Sequence, residues 1–191
     1  MKSLVPTAVN QAGAIAQGNI VAGPNIEYHE HHAPGGAGVV EALLQKLNAE
    51  IEDKAHTSEI IDRLQRFYER RADDDIVGLQ AKLKAAGREP EYRDALERKE
   101  MFAKLLERWS LYASAQLIFV HLLARAEHRF NYIVHPQISV LDVVQVNSLT
   151  NNLIVEPTVG DCGASVFAID HNAAMGMLYW LAEQCFVRWH K

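Results

Sequence analysis

From Glu91 to Val134 the chain runs without a single glycine or proline, and this breaker-free stretch narrows the accessible folds more than any other feature. A run of that length predicts either one long helix or two helices joined by a break near Ser110 to Ser114. The sequence before it carries helical spacing as well. Val40, Leu43, Leu44, Leu47 and Ile51 recur at a 3.6-residue period, with Glu41, Lys46, Glu50 and Asp53 on the opposite face, which predicts an amphipathic helix to about Ala55. Thr57 and Ser58 are suited to cap a second helix with the stripe Ile60, Ile61, Leu64, Phe67 and Tyr68, ending near Asp73 to Asp75. The aspartates then cap a third, in which Ile76, Val77, Leu79 and Leu83 face inward. Lys82 and Lys84 occupy its last turn, and Gly87 and Pro90 stop it.

Beyond Pro136 charged residues become sparse, so this section is expected to be the more deeply buried. Val140, Leu141, Val144, Leu149, Leu153 and Ile154 fit a helix that ends before Pro157, and Gly160 to Gly163 reads as a turn. Asp170 caps a last helix through Met175, Leu178, Tyr179, Leu181 and Ala182, and Phe186 to Trp189 reads as a short strand or extended tail.

Residues 1 to 38 are different. Gly13, Gly18, Gly23, Gly35, Gly36 and Gly38, with Pro6, Pro24 and Pro34, cannot nucleate a helix. Ile15, Ile20, Val21 and Ile26 lie in short β-prone pieces between the glycines. The expected architecture is therefore mainly α: a helical bundle over 39–191 with a long central helix or helix pair, preceded by a glycine-rich β appendage over 1–38. A two-stranded ribbon is marginal alone in water. Its backbone is expected to find partners by strand addition, in a second copy of the chain or in another protein, with those four residues in the contact.

Hydrophobic residues make up 49% and charged residues 23% of the chain, and the net charge is -5. This composition folds, and it gives no long-range attraction to phosphate backbones. Two cysteines make no disulfide framework, no basic start and apolar core reads as a signal peptide, and no apolar run reaches the roughly 20 residues of a membrane span. The cytoplasm is the expected compartment.

Several clusters invite chemistry. His29, His31 and His32 could ligate a metal, and with Glu27 or Glu30 they would make a metal-dependent hydrolase the competing reading. His121, His128 and His135, spaced by sevens, share one side of a helix. Cys162 could be activated by His171 or His190 only with a lowered thiol pKa, and two inert cysteines are the simpler expectation, Cys185 lying among apolar helix residues. Arg63, Arg66, Arg70 and Arg71 form a basic stripe whose field Glu69 and the aspartates largely cancel, so a solvated face or docking edge is expected ahead of nucleic-acid binding. There is no dinucleotide fingerprint and no P-loop lysine. Trp180, Phe186, Val187 and Trp189 are candidate interface anchors, or else pack the last helix onto the core. No catalytic residue and no cofactor is assigned.

Two stretches, QGNIVAGPNI (Gln17 to Ile26) and MGMLYWLAEQCFVRWH (Met175 to His190), in this order and with charged helices between them, resemble the C-terminal domains of bacterial ABC-three-component systems. The resemblance implies an adaptor that couples a variable effector, through a small middle component, to an ABC-type ATPase in defence against phages and plasmids. It carries over no catalytic residues. With barely a dozen residues ahead of Gly13, the expectation is a stand-alone adaptor or an effector on another polypeptide.

Overall fold

A computed structural model describes residues 38–71 and 75–190, all within a compact unit spanning 37–191. The glycine-rich leader, with Ile15, Ile20, Val21, Ile26, His29, His31 and His32, lies outside the described residues. The described residues are mainly helical, and no strand occurs among them.

Helix α1 (Val39–Glu52) lies along α5 (Ala113–Arg129). Val40 and Leu47 are buried, while Leu43, Leu44 and Ile51 pack at the margin. The breaker-free stretch is two helices, α4 (Tyr92–Trp109) and α5. The chain turns at Ser110 to Tyr112, where the Ser110 hydroxyl donates to the Leu106 carbonyl, a local bond that competes with helix continuation. Glu50 of α1 then accepts from the Ser114 N–H and hydroxyl at 3.1 and 2.7 Å, a carboxylate at the positive end of α5.

The second helix starts later than its capping residues predict. Residues 55–61 form a strap, and α2 covers only Asp62–Tyr68. Gln116, fully buried in α5, holds the strap. Its side chain accepts from the Ile61 N–H at 2.8 Å and donates to the carbonyls of Glu59 and Ser110. The tertiary partner outbids the local cap. The third helix likewise starts late, as α3 (Leu79–Ala85) behind Gly78 at φ +84°. The Leu79 N–H is received at 2.8 Å by Glu183 of α8 (His171–Glu183), where an aspartate cap was expected. Val77 is exposed, and Lys82, in the last turn as expected, is fully buried with Nζ donating to the Val187 carbonyl. Gly87 stops the helix as expected, at φ +70° with the Arg88 N–H bonded to the Leu83 carbonyl, the left-handed closure for which glycine is favoured.

Two prolines expected to break helices are carried by wide turns. After α5 the chain continues through a π-turn, Phe130–Val134, and a 3₁₀ turn, His135–Gln137. After α6 (Val143–Thr150) a second π-turn, Asn151–Val155, leads into α7 (Glu156–Cys162). In each case the residue before the proline donates its N–H five residues back, His135 to Phe130 and Glu156 to Asn151. The proline then falls in the first turn of the next helical piece, where a missing N–H does no harm. The expected end before Pro157 and the expected turn at Gly160 are thus corrected: the chain stays helical to Cys162. The section past Pro136 is the more deeply buried, as expected, with Val140, Val143 and Val144 as exposed exceptions.

Asp170 caps α8 (His171–Glu183) by accepting from the Ala173 N–H at 2.8 Å. Helix α8 lies against α4 so closely that a Cβ on Gly176 would sit 2.1 Å from the Arg98 carbonyl oxygen. No other residue fits there without parting the helices.

Candidate functional site

Because Gly176 brings α4 and α8 into backbone contact, the residues one turn to either side are forced together. On one side Phe102 and Trp180 meet ring to ring at 6.0 Å. On the other, Arg98 of α4 and Tyr179 of α8 share a hydrogen bond, and burial raises the Tyr179 phenol above its ordinary range against the opposing field of Arg88 and Arg98. Beyond Tyr179 a cleft of about 360 Å³ opens between α4, α6 with its π-turn, and α8.

The cleft is polar and built. Arg88 is 5% exposed; its Nε and Nη2 donate to the two carboxylate oxygens of Glu91 at 3.0 and 2.7 Å, and Nη2 also reaches Asn147 Oδ1 at 3.0 Å. This fork fixes the guanidinium plane. At the far rim, Glu156 accepts from Asn151 at 3.1 Å and meets His171 Nε2 at 3.2 Å, contacts that hold its carboxyl below the usual range, Asn151 the more strongly. Between these rims lies Thr150, 2% exposed, whose hydroxyl has no hydrogen-bond partner.

The aromatic anchors expected near the C-terminus are in the core. Trp180, Phe186, Val187 and Trp189 are all buried. Phe186 meets Phe67 at 5.0 Å, and Trp189 meets Phe130 at 5.4 Å and Tyr179 at 5.6 Å. Residues 186–190 form an irregular tail seated by Lys82 on Val187 O, Asn131 on Phe186 O and His135 on His190 O. The packing alternative is therefore the arrangement this chain adopts.

Three arginines of the basic stripe pair with carboxylates of the same fold while staying at the surface. Arg66 and Arg71 both pair with Glu127 of α5 at 2.8 Å, and Arg70 pairs with Glu183 at 2.9 Å. The guanidinium of Arg71 also lies 4.4 Å from the Phe186 ring centre. Burial, with Arg125 nearby, lowers the His121 pKa, whereas His128 stacks at the surface on Tyr132. Among the described residues no three His, Cys, Asp or Glu side chains gather as a metal ion would need. Cys162 is buried and its thiol is pushed up to about 12, burial being the main cause, which is opposite to what a nucleophile requires. Cys185 is half-buried and lies past the end of α8 at φ +64°, not within the helix.

The residues that spacing did not reveal are Gln116, Glu183, Arg88 and Thr150. Each acts on a segment distant in sequence or faces an opening that no local pattern encodes. The most exposed large hydrophobic side chains among the described residues lie outside the cleft: Tyr132, Val140 and Val144 are 74, 78 and 76% exposed.

Residues 78–189 match the family described as C-terminal domain 9 of the ABC-three component (ABC-3C) systems. The matched stretch runs from the glycine before α3 to the buried tail, more than half of the chain, and the protein belongs to this family. Of the two motifs that carried the resemblance, the closing one lies inside the match except for His190, and Gln17 to Ile26 lies before it. No curated protein and no solved structure matches the chain.

Proposed function

We propose that this chain is a non-enzymatic adaptor of an ABC-three-component system, linking an ABC-type ATPase and a small middle component in cytoplasmic defence against phages or plasmids. The observation that carries the reading is the family match over 78–189. A component of a multi-part system has protein partners, and this one exposes apolar side chains at Tyr132, Val140, Val143 and Val144, of the kind that mark contact surfaces when they cluster. The buried Trp180, Phe186 and Trp189 act in this reading by keeping the frame rigid. The glycine-rich leader supplies a second contact by strand addition through Ile15, Ile20, Val21 and Ile26, joining copies of the chain into a homo-oligomer. Nucleic acid is not a direct ligand in this reading, because Arg66, Arg70 and Arg71 are already paired within the fold.

Co-expression with an ABC-type ATPase and a short middle component of such a system, taken from the same genome, tests the proposal. The three should purify together, and Val140→Glu with Val144→Glu should release the chain while its helical circular dichroism is unchanged. Separate elution of the unaltered proteins would refute the adaptor role.

A further inference from the structure

The polar cleft above Tyr179 has features that a partner-binding frame does not require. We infer that it is a binding site for a small molecule of mononucleotide size carrying one oxyanion on a hydrogen-bonding body, an inference independent of the adaptor reading. Its volume of about 360 Å³ is in the range of small-ligand sites and small for a folded partner.

The charges assign the oxyanion its place. Arg88 is met by Glu91 and His171 by Glu156, whereas Arg98 has the Tyr179 hydroxyl as its neighbour and forms no ion pair among the described residues. An oxyanion seated at Arg98 takes charge-assisted bonds from the guanidinium. The other side of the cleft offers amides and a hydroxyl: Asn147, Asn151 and Asn172, together with Thr150. Buried hydroxyls are satisfied in folded proteins with few exceptions. The Thr150 hydroxyl, buried and without a partner, is such an exception at the wall of an open cleft, and a ligand atom there would complete it. Met175 and Val155 supply apolar wall between the two polar ends.

Titration calorimetry of the full chain tests this with adenosine 5′-monophosphate as the phosphate-bearing probe and N-acetylglycine as the carboxylate-bearing one. Adenosine and inorganic phosphate separate body from anion. One oxyanion probe should bind at a single site, and which one binds tells phosphate from carboxylate. Arg98→Gln should weaken it about tenfold or more, and removal of either half of the ligand should do the same. Thr150→Val should weaken binding about fivefold while leaving the ligand-free melting temperature unchanged or higher, an outcome that a purely structural threonine would not give. The inference is overturned if neither oxyanion probe binds at millimolar concentration, if binding survives Arg98→Gln, or if free phosphate binds as tightly as the whole nucleotide.

Discussion

The α4–α8 seam and the α2 edge are held to the same core by opposite means. Along the seam, Gly176 lets two backbones touch, and Phe102, Trp180 and Phe119 fill the space beside them. At the edge, a seven-residue helix is anchored by Leu64 and Phe67 and then by arginines whose side chains are largely in solvent. Dry contact depends on shape, and exposed pairs depend on charge and salt. The seam lies inside the family match and α2 outside it, so what defines the domain is the part held by shape.

This contrast gives a graded set of expectations. Trp180→Ala leaves a void at the seam and should lower the unfolding free energy by about 4 kcal/mol in urea denaturation. Gly176→Ala forces the Arg98 carbonyl away and should cost about 3 kcal/mol, with the loss shared by α4 and α8 in hydrogen exchange. If Gly176→Ala proves neutral, the close approach is not what holds the seam. Between seam and edge lies Gln116. Its alanine variant orphans three backbone groups and should cost about 2 kcal/mol, with protection lost first in the strap at 59–61. At the edge, Arg66→Ala should cost less than about 1 kcal/mol, and the effect should fade with added salt. A salt-independent loss there would mean that Arg66 works through its contact with Phe67 instead.

The smallest expected effect is chemical. A thiol reagent at mildly alkaline pH should modify Cys185 in the folded protein. Cys162, whose pKa stands near 12, should react only after unfolding. Burial raises the folded-state thiol pKa above its unfolded value, so the neutral form persists and no stability is gained or lost until the pH exceeds the unfolded value; above it stability falls.

Periodicity revealed the elements whose own residues decide them. The helix over 39–52, the break at Ser110, the Gly87 stop and the Asp170 cap are local events, and each was legible in spacing or capping chemistry. The elements that moved are those decided by distant partners. Gln116 draws residues 59–61 into a strap, Glu183 receives the N-terminus of α3, and two π-turns carry Pro136 and Pro157 inside helical runs. Lys82 was legible as a residue of the last turn of α3, but its burial against the Val187 carbonyl was not. The cleft was illegible for a similar reason: Arg88, Arg98, Thr150 and Tyr179 come from four separate segments, and a missing partner for a hydroxyl leaves no trace in a sequence. The closing motif drew attention to the right residues, Met175 to His190, although they carry the core and not its surface.

In the proposed function this chain works by association, with 37–191 as the frame and the leader as a means of joining copies. Light scattering of the full chain and of a variant lacking residues 1–34, at matched concentration, tests it most directly. The expected result is a mass that is a multiple of the chain for the first and a single-chain mass for the second, with the same helical circular dichroism per mole of chain. Equal oligomeric states in the two proteins would contradict it.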